Sequence, residues 1–304
     1  MATATLEQRI ERLSAASSRK VIEPDRDIPG RHRSGQLVAD ELLSVTGVAG
    51  VAELDRDQRA QLSRLETASI FSQGVRLESV LLAGFGLYLA RIPELTDPRA
   101  TYLLHELGEE TRHSRLFIRA LEDLPTTSNP MERGVFGAVA RRVYVAMAKD
   151  PALNCVLVLA GEEIPDLFAR RVADHPETDP FLRDVNRYHR QEEARHIAFA
   201  RGILPELWSG ASRRQRARIR RVAPFLIRTL FESFVHPGVY GAVGLPAWRT
   251  WIAVNRSPSR IGLRHEASRP LVTALLDAGV FRPGRVPRAW RRLAGVNRDG
   301  APAA

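Results

Sequence analysis

Two motifs of equal spacing stand out among the residues that could perform chemistry. Glu110 and His113 form one Glu-x-x-His pair, Glu193 and His196 form another, and His189 lies one turn before the second pair. Residues three, four and seven apart share one face of an α-helix, so each motif presents its carboxylate and imidazole together. Two such helices, each accompanied by a helix with a lone glutamate, carry the ligands of a di-iron or di-manganese four-helix bundle.

Two further helices should therefore each supply one glutamate that faces inward. On the first, Glu78 lies among apolar neighbours in VRLESVLLAG, where a charge is costly to bury unless it is paired or bound to metal. Glu66, earlier on that helix, lies in a more polar stretch and is the weaker candidate. On the other helix Glu162 and Glu163 compete, because the spacing to Glu193 slightly favours Glu162 whereas helical phase favours Glu163.

Four other polar residues lie close to these motifs. Glu106 precedes Glu110 by one turn and supports the metal ligands, ends the ligand row or is a solvated side chain. Asp184 either orients an imidazole through its ring N–H or starts a helix. Arg112 and Arg195 point away from the ligand face by helical phase, so they are assigned no chemistry, although they can pair with carboxylates of neighbouring helices.

The types of donor atom indicate which metal the site would hold. Four carboxylates balance the charge of two divalent cations, and imidazoles bind as neutral ligands. Oxygen and nitrogen donors without a thiolate suit iron or manganese better than a structural zinc site. Two iron ions are therefore the predicted cofactor wherever oxygen chemistry is needed, with manganese as a substitute.

The spacing of apolar residues predicts an all-α protein with a ferritin-like four-helix bundle core and additional helices. An extra helix is expected in the connection between the second and third bundle helices, where ferritin-like bundles have a long crossover. Residues 1–36 are expected to be irregular. The predicted division is an N-terminal extension, the diiron bundle, and a C-terminal helical extension with a basic tail, at 1–57, 58–240 and 241–304. The longer helices are expected at about 58–92, 99–122, 131–149, 151–174, 180–203 and 212–235.

Composition limits the other classes of function. Among 304 residues with a net charge of +10, no apolar run approaches the roughly 20 residues of a membrane helix. The polar N-terminus lacks a signal-peptide pattern, so a cytoplasmic protein is expected. Cys155 is the single cysteine and lies in an apolar run, which predicts a buried thiol. Arginine clusters at 212–221 and 282–292 are interpreted as a solvated helix face and a basic tail rather than a nucleic-acid site, because no nucleic-acid motif accompanies them.

The order of these residues resembles the p-aminobenzoate N-oxygenase family of non-haem diiron proteins. The similar segments are Glu78, Glu110-Thr-Arg-His113, Glu162 and the stretch from His189 to His196, over about residues 60–240. That family also has a third histidine one turn before its second Glu-x-x-His, whereas ferritin-type oxygenases and acyl-carrier-protein desaturases generally have two. The resemblance favours Glu162 over Glu163 and implies seven metal ligands, namely Glu78, Glu110, His113, Glu162, His189, Glu193 and His196.

The resemblance also implies an activity. The expected reaction uses O2 to oxidise the nitrogen of a small arylamine or related amine to a hydroxylamine or nitro group, in secondary metabolism. A separate electron donor is expected because no dinucleotide-binding fingerprint follows a strand, and the resemblance is compatible with a homodimer. Two alternatives remain open, namely a diiron enzyme that hydroxylates or desaturates carbon with the same ligands, and a non-catalytic ferritin-like iron-binding protein.

Overall fold

Helices form almost all of the secondary structure in the computed structural model, which describes residues 4–19 and 21–303. Across those two ranges the only β-type pairing found is an isolated bridge between Val296 and Pro302. The α-helices in chain order are α1 (Leu6–Arg19), α2 (Pro24–Asp27), α3 (Arg56–Leu89), α4 (Pro98–Glu122), α5 (Gly134–Ala148), α6 (Pro151–Asp174), α7 (Pro180–Gly210), α8 (Arg213–Arg221), α9 (Ala223–Ser233), α10 (Pro237–Ala242), α11 (Ala247–Arg256), α12 (Pro258–Asp277) and α13 (Arg288–Ala294).

Four long helices form the central bundle. Helix α3 packs along α4, helix α6 packs along α7, and the two pairs meet through contacts of α3 with α6 and of α4 with α7. Helix α5 lies in the connection between α4 and α6, where the extra helix was expected. The prediction of an all-α, ferritin-like bundle with additional helices is therefore confirmed.

An aspartate fixes the start of each bundle helix. Asp55 and Gln58 form a reciprocal capping box at the start of α3. Asp97, Asp150 and Asp179 cap α4, α6 and α7, and each is followed by a proline at the first helical position. A side-chain cap satisfies a backbone N–H that has no partner within the helix, and each is worth about 1 kcal/mol. These four starts set where each helix begins and so which residues reach the middle of the bundle.

The expectation that residues 1–36 are irregular is wrong, because α1 occupies much of that stretch. Helix α1 packs against α4 and α7, with Ile10 buried and Leu6 and Leu13 partly buried beside it. These three residues have the i, i+4, i+7 spacing of a helix face, but the polar residues around them hide the pattern. The helix is stabilised because its narrow apolar stripe packs against α4 and α7 of the bundle.

The single helix expected over 212–235 is two helices, α8 and α9, which meet at Val222. Pro224 lies in the first turn of α9, and a proline there cannot donate the hydrogen bond that would continue a helix. The first arginine cluster lies on α8, where the guanidinium carbons of Arg216 and Arg220 are 5.0 and 5.4 Å from the ring centroid of Trp208. The division of the chain at residues 57 and 240 stays a prediction.

Cys155 is buried on α6, as predicted, and burial raises the pKa of its thiol. Within the described residues, no helix taken singly combines the length and apolar character required to cross a membrane; Gly137–Ala148 and Pro151–Asp174 meet the requirement only as a pair, bent by 112°.

Candidate metal centre

The seven predicted ligands come from all four bundle helices and meet in its interior. Glu78 lies on α3, Glu162 on α6, and the two Glu-x-x-His motifs on α4 and α7. All are buried except His189, which is partly buried. Ligand atoms within 4.8 Å of one another form overlapping groups that contain each of the seven, namely Glu78, His113 and His189; Glu106, Glu110 and His196; Glu110, His113 and Glu193; and Glu162, His189 and Glu193.

Two carboxylates lie between the two motif histidines. Nδ1 of His113 is 3.3 Å from Oε2 of Glu110 and 3.2 Å from Oε1 of Glu193. Nδ1 of His196 is 3.2 Å from Oε1 of Glu110 and 3.1 Å from Oε2 of Glu193. Each glutamate therefore directs one oxygen to each imidazole, which is the arrangement suited to a carboxylate that bridges two cations.

The remaining three side chains lie to one side of these bridging positions. Nε2 of His189 is 3.1 Å from Oε1 of Glu193 and 3.7 Å from Oε1 of Glu78. The other oxygen of Glu78 accepts a hydrogen bond from the hydroxyl of Ser114 at 2.5 Å. Glu162 joins the same group through its proximity to His189 and Glu193.

The structure also places the two weaker glutamate candidates. Glu163 forms an ion pair with Arg201 on the outer side of α6, whereas Glu162 faces the bundle interior and is 4% exposed. Glu66 is buried on α3, but it accepts hydrogen bonds from the backbone and hydroxyl of Ser44 and belongs to none of the ligand groups. Of the competing candidates, Glu78 and Glu162 are thus the ones that lie among the imidazoles.

Two glutamates that the sequence analysis missed hold the outer nitrogens of the motif histidines. Nε2 of His113 is 3.1 Å from Oε2 of Glu192, and Nε2 of His196 is 2.8 Å from Oε2 of Glu109. A carboxylate on the far nitrogen of a ligand imidazole fixes the tautomer and the ring orientation. The signal was present in the sequence, because Glu-Glu-x-Arg-His occurs at 109–113 and again at 192–196.

The arginines of that repeated segment pair with these outer glutamates. Nη2 of Arg195 is 2.7 Å from Oε1 of Glu109, and Nη2 of Arg112 is 3.4 Å from Oε1 of Glu192. Each arginine thus contacts a carboxylate of the facing helix, as the sequence analysis allowed. Asp184 is exposed, and the imidazole-orienting role considered for it belongs to Glu109 and Glu192.

The charges of the cluster shift the protonation of its members. Burial opposes protonation of His113 and His196, but the surrounding glutamates outweigh it and raise the pKa of both imidazoles. Burial also opposes ionisation of Glu109, yet the hydrogen bond and charge of His196 lower the pKa of that carboxyl to about 2. Burial raises the pKa of Glu162, and the nearby charge of Glu193 raises it further. In the protein without metal, Glu162 therefore retains its proton more readily than Glu109 does.

The inner carboxylates fit a pair of cations better than they fit protein donors. Both oxygens of Glu106, which is fully buried, have no hydrogen-bond partner, whereas Oε1 of Glu110 and Oε1 of Glu193 face imidazole nitrogens 3.1–3.2 Å away. An unpaired buried acid costs about 1–3 kcal/mol or more, so the oxygens of Glu106 require a partner that the chain does not supply. Hard divalent cations with carboxylate and imidazole ligands would satisfy that requirement.

An apolar cavity of about 130 Å³ opens beside this cluster. Its wall at one end is formed by Glu78, Glu162 and His189, and most of the remaining lining is apolar. Pro165 lies on this wall and has no N–H, so the carbonyl of Gly161, one turn earlier on the same wall, lacks its helical partner.

Comparison with known proteins relates the chain to a family. Uncharacterized proteins of Mycobacterium tuberculosis and Mycobacterium bovis are 28% identical to it over 183 residues, or 60% of this chain and 53% of each relative. The chain thus spans about half the length of these curated relatives. A family model described as p-aminobenzoate N-oxygenase AurF matches residues 3–279, well beyond the 60–240 of the sequence resemblance. The chain therefore belongs to the p-aminobenzoate N-oxygenase AurF family.

Proposed function

We propose that the protein is a non-haem diiron oxygenase that uses O2 to oxidise the nitrogen of a small amine, with arylamines as the leading class. The observation that carries the proposal is the buried group of acids and imidazoles with unpartnered carboxylate oxygens, at the end of an apolar cavity. Membership of the AurF family supports the same chemistry.

The proposed iron ligands are the seven residues predicted from the sequence, with manganese as a substitute metal. Glu110 and Glu193 would lie at the centre of this ligand set, because each has one oxygen beside each motif histidine. Iron held there would supply the redox chemistry that activates O2. Glu109 and Glu192 would keep the two imidazoles oriented.

The cavity would hold the amine and exclude water. Its apolar wall brings an organic substrate next to Glu78, Glu162 and His189, and excluding water protects a reactive oxidant from side reactions. The free carbonyl of Gly161 would accept a hydrogen bond from the amine and so direct its nitrogen towards the ligands. These contacts position the nitrogen rather than carry out the oxidation, which belongs to the cofactor.

The balance of the reaction requires an external reductant. Insertion of one oxygen atom of O2 into an N–H bond gives a hydroxylamine, while the second oxygen atom leaves as water. That step consumes two protons and two electrons, which we assign to a separate electron donor. Oxidation of the hydroxylamine by one further O2 would give the nitro product and one water, with no additional electrons.

The test loads the 304-residue chain with Fe(II), reduces it and exposes it to isotopically labelled O2 with a panel of arylamines and alkylamines. Mass spectrometry should detect labelled oxygen on nitrogen, and His196→Ala should abolish both the product and most of the bound iron. Glu163→Ala is the matched control, because Glu163 lies outside the cluster and should leave the product unchanged.

The outcomes separate the alternatives. Labelled oxygen on carbon, or a desaturated product, would favour the carbon-oxidising enzyme with the same ligands. Iron uptake without product from any amine at full iron occupancy would contradict the proposal and favour a ferritin-like iron-binding protein. The apolar cavity beside the ligands favours substrate turnover over iron storage, because storage needs no room for an organic molecule.

A further inference from the structure

The cavity beside the ligands is long as well as apolar. Along α3 its wall runs from Glu78 through Gly74 and Ile70 to Glu66. Glu66 and Glu78 are twelve residues apart, which is roughly 18 Å along a helix axis. A molecule that reaches both ends must therefore be elongated.

The far end of the cavity contains a single buried acid. Glu66 is 6% exposed and accepts hydrogen bonds from the backbone N–H and the hydroxyl of Ser44. The hydroxyl of Ser44 is in turn 2.9 Å from that of Tyr240, so the group is held in place from behind. Ser63 and Thr67 add hydroxyl groups to the same part of the wall, but both donate to backbone carbonyls of α3. This end thus offers Glu66 as a fixed acceptor.

The cavity wall offers no cation to an acidic substrate. Among the described residues that line it, the ionisable side chains are Glu66, Glu78, Glu162 and His189, and none is lysine or arginine. The buried guanidinium of Arg260 stacks on the rings of Phe168 and Phe231 at 5.3 and 4.5 Å and lies outside the lining. A carboxylate at the far end would meet a glutamate and apolar rings, which disfavours its binding.

We propose that the substrate is an elongated, largely apolar amine whose far end donates a hydrogen bond to Glu66, as an ammonium or hydroxyl group does, and carries no carboxylate there. This inference rests on the proposed function, because it takes the oxidised nitrogen to lie beside the metal ligands. Glu66 is then the residue that determines specificity at the end remote from the chemistry.

The protonation of Glu66 agrees with this role. Burial raises its pKa to about 7, although the hydrogen bonds from Ser44 and the charge of Arg260 act in the opposite direction. With these contacts alone, the carboxyl therefore exchanges its proton near neutral pH. A donor group from the ligand would replace the water lost by burial and favour the ionised form.

The test compares three anilines that carry the same unbranched alkyl chain opposite the amine and end in an ammonium, a methyl or a carboxylate group. Their binding to the metal-loaded 304-residue chain is measured by calorimetry without O2. The ammonium probe should bind on the order of tenfold more tightly than the methyl probe, as a charge-assisted hydrogen bond allows. The carboxylate probe should bind most weakly.

Glu66→Gln should remove most of the preference for the ammonium probe and relieve the exclusion of the carboxylate. Asp57→Asn is the control, because it makes the same change of charge at an exposed position of α3. Circular dichroism and thermal unfolding check that each variant is folded. The comparison of the three probes on the unaltered protein tests the inference even if a variant does not fold.

Tighter binding of the carboxylate probe, an equal affinity for all three, binding of none, or a preference that survives in Glu66→Gln would each overturn the inference. These results are separate from those that test the proposed function. Selective binding without O2-dependent oxidation would refute the function and leave the pocket selectivity standing. Oxidation of short arylamines without any selectivity for the chain end would support the function and refute the pocket selectivity.

Discussion

The two halves of the bundle, α3–α4 and α6–α7, carry the same types of inward acid and imidazole in the same order, except at one position. Each half offers a lone inward glutamate and then the segment Glu-Glu-x-Arg-His, and the histidine of each segment is held by the outer glutamate of the other. One turn before the inner glutamate, α4 has Glu106 whereas α7 has His189. The two Glu-Glu-x-Arg-His segments and their contacts are therefore nearly symmetric, whereas Glu106 and His189 make the inner surface of the site unequal.

This difference coincides with the side on which the cavity opens. His189 lines the cavity together with Glu78 and Glu162, so this face of the centre is accessible to a ligand. Glu106 is fully buried one turn from Tyr102, and neither its oxygens nor the Tyr102 hydroxyl have a partner. On the proposed function, the repeated segments would hold the metal ions, and the unequal position would decide which face meets the substrate.

The largest effect is expected from removing a carboxylate shared by both halves. Glu110→Ala and Glu193→Ala should each reduce the bound metal from about two ions per chain to well below one, because each glutamate directs an oxygen to both motif histidines. Elemental analysis after iron loading and desalting measures the result. Glu163→Ala should retain both ions, since it forms only an outer ion pair with Arg201.

Near-normal metal in either of these two variants would contradict a bridging role for that carboxylate. A large loss of bound metal in only one variant would contradict the equivalence of the two halves. It would show that the two segments are alike in sequence and contacts but not in metal binding.

The sequence was sufficient for the inner site because spacing alone places Glu110, His113, Glu193 and His196 on two helix faces. It was insufficient for the choice between Glu162 and Glu163. These adjacent residues point to different sides of α6, and which side faces the bundle interior is known only once the neighbouring helices are placed. Glu109 and Glu192 act through contacts with histidines that lie 87 and 79 residues away in sequence. No local pattern reveals such contacts. The repeat that contains them is visible only when the two motifs are aligned.

A second, smaller effect tests the symmetry of the outer contacts. Glu109→Gln and Glu192→Gln should each weaken metal binding by about 10- to 100-fold, because each removes the charge that holds one imidazole in orientation. Competition with a chelator measures the affinity of each variant. Equal losses would support equivalent halves, whereas a loss confined to one variant would place the outer support mainly on one histidine.

As a matched control for the second test, Glu163→Gln removes an acid that pairs with Arg201 and belongs to none of the ligand groups. The metal affinity of this variant should therefore not change. A similar loss in this variant would mean that the outer glutamates act through overall charge rather than through their contacts with the imidazoles.

The smallest effect concerns the position where the halves differ, measured in metal-free protein. Glu106→Met replaces a buried, unpartnered acid with an apolar side chain of similar shape and should raise the free energy of unfolding by on the order of 1 kcal/mol. His189→Leu should lower it, because His189 contacts Glu193 and Glu78 even without metal. Urea unfolding of the two variants beside the unaltered protein gives both values. Changes of the same sign would mean that Glu106 has a partner in the metal-free protein, and the asymmetry between the halves would then lie in the cavity alone.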